Sequence, residues 1–397
     1  MTPSGPFLYP NFGAEEGGGA ARPYRSLRNL PALWGALFGD AAALLDPREG
    51  ARPWETLPFE GGEAVFPEWR ALEGLVPWYS DAAAGGIAAE RALPLAGPAP
   101  EAVAAVHDKA FALAFAREHL DPPDPVTRHA AVLAPETAAD RARFAAEIQR
   151  VVASWPDALA KEIVVKPRFG TSGRGWFRGG GQDAAALRAL DPARFAARGG
   201  AIVEPWALRR ADLSTQLWIS RGGEIAVIGT TRQLLSRGGT YRGNAGWITS
   251  ARGIQSGTVH DRAIREAAVA LGRAAAARGF WGACGIDSFV YEVPGDGVRL
   301  RPIVEINARF TTGLVALGLL RRWAGPIPTR RGRRWLFLLV RPEREGAGSA
   351  RDAGWEHRLT LDPYGEGIES LLQLGHDRRP GSDPAVPMPP ASEPPTR

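Results

Sequence analysis

The sequence has little cysteine and little lysine. Its 397 residues include one cysteine, Cys284, and only three of its 48 basic residues are lysines, Lys109, Lys161 and Lys166. A single cysteine excludes an intramolecular disulfide framework and any zinc or iron–sulfur site made of clustered cysteines. The six histidines show no metal-ligand spacing, and we interpret them as surface or helix polar residues. Any metal bound here is therefore expected to have mainly oxygen ligands.

Long apolar runs are also missing. No uninterrupted apolar stretch is long enough to cross a bilayer, and the N-terminus has no basic segment followed by an apolar one. We therefore expect a cytoplasmic globular protein of two or three packed units, without a secretory signal or a membrane partner. The net charge of +5 is spread over residues of both signs. A nucleic-acid partner is not expected, because specific binders concentrate their charge on one face.

The few lysines draw attention to a glycine-rich loop. Arginine supplies the other 45 basic residues, so a remaining lysine indicates either chance or a position that needs a compact ammonium group. Lys166 ends the apolar stretch 162–167, which predicts a buried strand leading into a loop. The loop contains Gly170, Thr171, Ser172, Gly173 and Gly175. Its backbone N–H groups and hydroxyls suit phosphate oxygens, although taken alone such a loop is more often just a mobile hairpin loop. Together with Lys166 it favours phosphate binding.

A second group of polar residues lies on a predicted hairpin. Asp287 and Glu305 are equally distant from residue 296, in the turn signature Pro294-Gly295-Asp296-Gly297, so a hairpin centred there places them opposite each other. The two-residue alternation of a strand adds Asn307 and Arg309 to the face that carries Glu305. Two carboxylates and a carboxamide oxygen are hard ligands suited to magnesium. A solvated strand face is the alternative, which the apolar neighbours of Glu305 disfavour.

The remaining sequence predicts the organisation of the chain. The Pro/Ala/Gly segment 93–100 is typical of a linker, and we place a domain boundary there. We expect helices over 26–37, 101–119 and 139–154, a strand over 64–66, and a helix near 367–374. The predicted units are an N-terminal domain (1–100), a central domain (101–320), a C-terminal extension packed on the core (321–376) and a disordered Pro-rich tail (377–397).

Five short motifs occur in an order and at a spacing that resemble the ATP-grasp superfamily. They are His107-Asp108-Lys109, Val165-Lys166-Pro167, Val203-Glu204-Pro205-Trp206, Gly285-Ile286-Asp287 and Glu305-Ile306-Asn307-Ala308-Arg309. Each motif is weak by itself, but the ordered set is specific, and the resemblance covers about residues 106–320. It implies an α+β fold in which two α+β subdomains sandwich ATP, preceded by a small α/β pre-ATP-grasp domain. The loop Asn11-Phe12-Gly13 after the first strand would then face the substrate.

The resemblance also implies roles for individual residues. Lys109 and Lys166 correspond to the two lysines that hold the nucleotide phosphates, and the loop 170–175 to the flexible loop that closes over them. The segment 204–207, which includes Glu204 and Trp206, corresponds to the hinge whose backbone reads adenine, and Asp212 is a candidate for the ribose. The implied magnesium ligands, with manganese as an alternative metal, are Asp287, Glu305 and Asn307. Arg309 corresponds to the arginine directed at the transferred phosphoryl group, so that Arg309 and Lys166 are the expected catalytic residues.

The implied activity is an ATP- and magnesium-dependent ligation. A carboxylate attacks the γ-phosphate, and an amine then displaces phosphate from the acyl-phosphate, which leaves ADP. Two alternatives stay open: a small-molecule kinase of the same superfamily, and a nucleotide-binding protein without turnover. The chain departs from many members at Phe310-Thr311-Thr312-Gly313, where Pro-Gly is common, so the substrate side is remodelled.

Substrate recognition is expected on a basic surface. Arginine forks suit carboxylates, which favours an anionic amino acid or peptide-like substrate. The residues that could line the acceptor side are Arg232, Gln233, Tyr241, Arg242, Asn244, Arg309, Arg321 and Arg322. The segment Trp281-Gly282-Ala283-Cys284-Gly285 lacks the arginine that the D-alanine–D-alanine ligase branch has before its metal aspartate, which argues against that branch. Cys284 itself is expected to be a small buried strand residue, because no activating partner is evident.

Overall fold

The computed structural model describes most of the chain. The described residues are 5–16, 27–39, 42–46, 50–53, 64–170, 175–236, 241–249, 251, 253–293, 297–324, 333–339, 355–363 and 369–375. The predicted tail 377–397 lies outside them. No helix among the described residues is long and apolar enough to cross a membrane.

Twelve helices are described. They are α1 (Leu30–Gly35), α2 (Ala82–Glu90), α3 (Pro100–His107), α4 (Lys109–His119), α5 (Pro125–His129), α6 (Pro135–Ala139), α7 (Arg141–Ala153), α8 (Asp157–Ala160), α9 (Ala184–Arg188), α10 (Pro192–Ala196), α11 (Asp261–Ala276) and α12 (Thr312–Ala324). The helix expected over 139–154 is confirmed as α7. The one expected over 26–37 is shorter than predicted in the described part, and Ser26 lies outside it.

The N-terminal part of the chain forms a small open sheet. Its strands are β1 (Phe7–Tyr9), β2 (Ala43–Asp46), β3 (Gly50–Pro53) and β4 (Leu75–Pro77), in the order β3-β2-β1-β4. The central strand β1 is parallel to β2 and to β4, as expected of an α/β sheet. The strand predicted over 64–66 is wrong, because these residues form a bend. Phe66 is nevertheless buried, so its apolar character reflects the core and not a strand.

A second sheet follows in the chain. Its strands are β5 (Ala131–Leu133), β6 (Glu162–Pro167), β7 (Phe177–Gly180) and β8 (Ala201–Pro205), in the antiparallel order β5-β8-β6-β7. A core of its own, with Phe144, Ile148, Val165 and Phe195, joins this sheet to the helices beside it. The strand predicted over 162–167 is confirmed as β6, and it carries Lys166 to the end of the sheet.

The largest sheet has nine strands. They are β9 (Leu208–Ile219), β10 (Ile225–Leu235), β11 (Tyr241–Ile248), β12 (Ile254–Gln255), β13 (Gly282–Val293), β14 (Gly297–Asn307), β15 (Arg333–Leu338), β16 (Trp355–Leu361) and β17 (Ser370–Gly375). Eight follow the order β14-β13-β9-β10-β11-β15-β17-β16, and β12 pairs with β11. A shared apolar core joins this sheet to α11, α12 and the N-terminal part, through residues such as Trp34, Leu271, Phe310 and Leu317.

The C-terminal part of this sheet corrects one prediction. The helix expected near 367–374 is wrong, because these residues include β17, in which every residue is buried. A short strand buried on both faces is apolar without alternation, so periodicity does not distinguish it from a buried helix. Strand β15 pairs with β11, so the predicted extension contributes strands to the central sheet.

The helix predicted over 101–119 is two helices. The chain turns at Asp108, whose ψ of 121° is not helical, and the Asp108 carboxylate accepts a hydrogen bond of 2.8 Å from the N–H of Ala110. This is an N-cap, so α4 begins anew at Lys109. The break therefore places Lys109 in the first turn of a helix.

Candidate active site

A solvent-open cleft lies between the second sheet and the central sheet. Its empty space is about 940 Å³, counted with the open solvent at its mouth. Residues from α4, β6, β9, β10, β11, β13 and β14 and from the connecting segments beside them line it, and they include Lys109, Lys166, Gly170, Trp206, Asp212, Gln233, Tyr241, Asp287 and Glu305. The structure thus brings together many of the residues that the sequence singled out.

The two acidic residues of the hairpin face each other as predicted. Asp287 on β13 is paired with Glu305 on β14. Next to the turn, however, Val293 pairs with Gly297, so the hairpin is centred on residue 295 and not on 296. A register shift between Asp287 and Phe289 compensates for the difference. Pro302 lies in the shifted stretch and accepts a hydrogen bond of 2.7 Å from the Ser288 hydroxyl, as suits a residue that cannot donate to the sheet.

Asp287 is held by amide side chains. It accepts hydrogen bonds of 2.9 Å from Gln233 and 3.1 Å from Asn307. Burial and the negative charge of Glu305 raise the pKa of Asp287 to about 7. Burial also opposes ionisation of Glu305, but the ammonium groups of Lys109 and Lys166 hold the pKa of Glu305 below its ordinary value. Two carboxylates this close can both ionise readily only when further positive charge is present.

Lys109 reaches both the acidic pair and the loop. Its Nζ lies 3.2 Å from Glu305 Oε2 and donates a hydrogen bond of 3.0 Å to the carbonyl of Gly170. Asp108 holds the helix start in place, because its carboxylate forms an ion pair with Arg168 at the end of β6. The charged end of Lys109 is therefore fixed at the loop by contacts on both sides.

Lys166 belongs to a buried charged trio. Its ammonium forms an ion pair with Glu204, whose other oxygen lies 2.9 Å from Arg301 Nη1. Burial tends to raise the pKa of Glu204, but Arg301 and Lys166 lower it to about 2. Two cations share one carboxylate, so the trio keeps one net positive charge beside the cleft. The Glu204 side chain is turned into this trio and is not among the residues that line the cleft.

Trp206 forms an aromatic wall of the cleft. Its ring stacks with that of Trp176 at 5.6 Å, with 14° between the planes, and the guanidinium of Arg178 lies 4.2 Å from its centroid. The backbone N–H of Trp206 donates to the backbone carbonyl of Glu162 and is therefore not available to a ligand. Asp212 lines the same end of the cleft but is paired at 2.7 Å with Arg209. The arrangement suits stacking of a flat ring.

The glycine-rich loop is described only at its ends. Thr171, Ser172 and Gly173 lie outside the described residues. Gly170 lines the cleft, and Gly175 has a φ of +73°, a conformation that favours glycine. A Cβ at Gly175 would lie 2.6 Å from the guanidinium of Arg194, the end of a flexible side chain that can move aside, so the backbone conformation is what favours glycine there.

Arg309 lies where the N-terminal part meets the hairpin. Its Nε is 2.7 Å from Glu15 Oε1, and its Nη2 donates to Asn307 Oδ1 at 3.3 Å. Glu15 follows the loop after β1, in which Asn11 holds the backbone of Tyr79 through two hydrogen bonds of 2.7 and 3.1 Å. Glu15 is 5% exposed, and its Oε2 has no hydrogen-bond partner. The segment that follows the first loop of the chain therefore reaches Arg309 through Glu15.

The arginines expected on the acceptor side, Arg309 included, are not among the residues that line the cleft. Arg232 donates to the carbonyl of Ser256, and Arg321 donates to the carbonyl of Ile228. Neither these two nor Arg242 or Arg322 is among the residues that line the cleft. Gln233 and Tyr241 do line it, whereas Asn244 is buried behind them and donates to Thr231.

Two further expectations concern Cys284 and the histidines. Cys284 is buried as predicted, and burial raises the pKa of its thiol to about 12.

His107 is 3% exposed, so it is neither a surface residue nor a free polar side chain of the helix. Burial and the charges of Lys109 and Arg309 lower its pKa to about 3, and its neutral Nδ1 accepts from the N–H of Ala308 at 3.3 Å. His107 thus fixes the backbone between Asn307 and Arg309.

Comparisons with known proteins agree with this architecture. The sequence matches no protein-family model and no curated protein. Solved structures do match: D-alanyl-alanine synthetase A from Vibrio cholerae has a TM-score of 0.50 and 13% identity, over 81% of this chain and 94% of that one. The biotin carboxylase domain of the 2-oxoglutarate carboxylase from Hydrogenobacter thermophilus, solved with MgADP, ADP and bicarbonate, also has a TM-score of 0.50, with 12% identity over 94% and 86% of the two chains.

The chain has the ATP-grasp fold. The predicted fold class is confirmed: two α+β parts of this fold enclose the cleft, and a small α/β sheet precedes them. Because the sequence identities are low, the likeness shows the fold only. The reaction has to be inferred from the residues of the site.

Sequence reasoning missed several residues in or behind the cleft. Arg301 is fully buried, although the sequence of β14 does not distinguish it from Arg299 on the same strand. Ser214 and Gln216 lie two residues apart on β9, a polar pair that indicates one face. Trp176 carried no signal, because its role depends on the distant Trp206.

Proposed function

We propose that this protein is an ATP- and magnesium-dependent ligase that joins a carboxylate to an amine through an acyl-phosphate, releasing ADP and phosphate. The observation that carries the proposal is the meeting, in one ATP-grasp cleft, of Lys109 and Lys166 with the opposed carboxylates of Asp287 and Glu305. Cations for phosphate oxygens and carboxylates for a divalent metal are the groups that phosphoryl transfer requires.

The donor set fits magnesium. Among the described residues, no group of three or more histidine, cysteine, aspartate or glutamate side chains could hold a metal. Two carboxylates with the amide oxygen of Asn307 are instead the partial oxygen set that Mg²⁺ uses when nucleotide phosphates and water complete its shell. Asp287, Glu305 and Asn307 would hold the ion, which when bound supplies positive charge to the transferred phosphoryl group.

The protein's own residues would align and neutralise the reactants. Lys109 and the net positive charge around Lys166 are placed to bind phosphate oxygens, and Trp206 is placed to stack on the base. Arg309, fixed through Asn307 and Glu15, is the group proposed to hold the acyl-phosphate oxygens. In the first step the substrate carboxylate oxygen bonds to the γ-phosphorus as ADP leaves. In the second the amine bonds to the carbonyl carbon and phosphate leaves with the substrate oxygen.

For the substrate we propose a small anionic amino acid or peptide-like carboxylate. Arg309 supports this, because it is a guanidinium beside the metal-binding residues and is paired only with Glu15 among acidic residues in the described structure. An anionic substrate would compete with Glu15 for this arginine. The N-terminal segment 1–100 would then contribute to substrate binding, and the segments 101–320 and 321–376 would form the nucleotide-binding part and its extension.

The proposal is tested by measuring ADP release. Amino acids, dipeptides and small polycarboxylates are screened with amines, and we expect ADP to form only when an accepted carboxylate is present. Formation of AMP and pyrophosphate would exclude the ligase. Hydroxylamine then distinguishes the kinase alternative: a hydroxamate shows an acyl-phosphate intermediate, whereas a stable phosphorylated product shows a kinase.

Lys166→Arg is expected to weaken ATP binding although the charge is kept. A planar guanidinium cannot replace a compact ammonium between Glu204 and crowded phosphates. The loss of one charge-assisted hydrogen bond corresponds to about a tenfold or greater rise in the Kd for ATP, measured by calorimetry. Lys161→Arg is the matched control, because Lys161 is exposed and lies just before β6, at the opposite end of the strand from Lys166, so this variant should bind ATP normally. Equal affinities of both variants would count against the role of Lys166.

A further inference from the structure

A line of buried polar side chains runs from the start of α12 to Asp287. The N–H of Leu314 donates to Thr311 Oγ1 at 3.0 Å, and the Thr311 hydroxyl is hydrogen bonded to Gln216 Oε1. The other end of Gln216, Nε2, donates to Ser214 Oγ at 2.8 Å. Ser214 lies directly opposite Asp287 on the neighbouring strand β13, so the two side chains leave the same face of the sheet as neighbours.

The two ends of this line fix the direction of every hydrogen bond. The N–H of Leu314 can only donate, and an ionised Asp287 can only accept. Because the Ser214 oxygen accepts from Gln216 Nε2, the Ser214 hydroxyl can donate to the opposite Asp287 carboxylate, and Gln216 Oε1 is left to accept from Thr311. Hydrogen bonds that point the same way polarise one another and are strengthened in a buried environment.

Two glycines leave room for the side chain of Gln216. The side chain is 1% exposed on the central strand β9. Gly285 and Gly313 lie on either side of its amide: a Cβ at Gly285 would be 3.0 Å from Gln216 Oε1, and a Cβ at Gly313 would be 2.8 Å from Gln216 Nε2. Thr311 and Gly313 belong to the segment in which this chain departs from the Pro-Gly of many similar proteins.

We infer that Ser214, Gln216 and Thr311 are positioning residues that fix Asp287 for a divalent cation and connect it to the N-terminus of α12. The inference rests on the proposed function, because it takes Asp287 as a metal ligand. Glutamine suits the middle position since its amide accepts at one atom and donates at the other, whereas glutamate has no donor when ionised and a hydrocarbon side chain has neither. Hydrogen bonds to a metal-ligating carboxylate orient it and influence metal affinity.

The test measures Mn²⁺ binding with ADP, by the electron paramagnetic resonance signal of unbound Mn²⁺. We expect Ser214→Ala to weaken Mn²⁺ binding by about tenfold or more, and Thr311→Val to weaken it by a smaller factor. If the line acts as a unit, the double variant should bind Mn²⁺ no more weakly than Ser214→Ala alone. These variants keep Gln216 and change one small group each. Melting temperatures verify that each is folded.

Thr215→Val is the matched control. Thr215 is the neighbouring residue on β9, is fully buried, and its hydroxyl makes no hydrogen bond. Its replacement should leave the Mn²⁺ affinity unchanged. The inference is overturned if Thr311→Val binds Mn²⁺ normally, or if the effects of Thr311→Val and Ser214→Ala simply multiply. If the unsubstituted protein binds no more Mn²⁺ than ADP alone does, the proposed function itself fails, and the role of the line fails with it.

Discussion

Glu305→Gln is expected to leave the protein folded and to lower magnesium-dependent turnover by about a hundredfold or more. The glutamine side chain has almost the same size, and Lys109 keeps its hydrogen bond of 3.0 Å to the carbonyl of Gly170. What is lost is one of the two negative charges that face each other at Asp287 and Glu305. A neutral amide cannot balance a dication, so the affinity for Mg²⁺ falls together with the rate. The measurement is the rate of ADP formation as a function of Mg²⁺ concentration.

Glu292→Gln is the control for this substitution. Glu292 lies at the far end of the same hairpin, where it is partly exposed and forms an ion pair with Arg210. Its replacement removes a negative charge from β13 without changing the cleft, so turnover should stay near that of the unsubstituted protein. Full activity of the Glu305→Gln variant would show that the metal binds elsewhere.

Arg309→Ala is expected to lower turnover by about a hundredfold or more and to leave the affinity for ATP unchanged. The guanidinium is 9% exposed and is held by Glu15, Asn307 and the carbonyl of Phe310, so its fork has one fixed orientation. A fixed fork stabilises charge that develops on the transferred group, which matters more for the chemical step than for nucleotide binding. The measurement compares the change in kcat with the change in the Kd for ATP between the variant and the unsubstituted protein.

Two controls separate this effect from others. Arg309→Ala leaves the buried carboxylate of Glu15 without its ion-pair partner, and an unpaired buried charge destabilises a fold. The double variant Glu15→Gln/Arg309→Met removes both charges, so a folded double variant that is still inactive assigns the loss to catalysis. Arg321→Ala should change turnover little, because Arg321 contacts the carbonyl of Ile228 and the ring of Phe66 instead of the cleft. Equal effects of Arg309→Ala and Arg321→Ala would contradict the assignment.

Local sequence signals predicted the acidic hairpin because alternation and a turn signature are short-range properties. The pairing of Asp287 with Glu305 is correct, but it results from a turn centred one residue earlier combined with a register shift near Pro302. Neither feature alone gives the observed register. The predicted pairing of Asp287 with Glu305 was thus correct, but the turn position and register shift that produce it were not predicted.

Tertiary packing explains two features of the structure that the sequence did not indicate. Strand β11 contains Gly243 and Gly246, which are typical of a loop, yet a Cβ at these positions would lie 1.9 Å from the carbonyl oxygen of Phe337 and 2.4 Å from that of Gln255. The glycines therefore allow close approach of neighbouring strands. Likewise, the trio of Lys166, Glu204 and Arg301 joins residues up to 135 positions apart through two ion pairs, which no local pattern indicates.

The central claim, that ATP activates a carboxylate as an acyl-phosphate, is tested most directly by following the carboxylate oxygen. The carboxylate substrate found in the ADP-release screen is labelled with ¹⁸O and supplied with ATP, Mg²⁺ and the amine, and the released phosphate is examined by ³¹P NMR. In the proposed reaction the attacking oxygen stays on phosphorus when the amine displaces phosphate, so one ¹⁸O atom should appear in each phosphate released. Phosphate without ¹⁸O, formed together with the ligated product, would contradict the account.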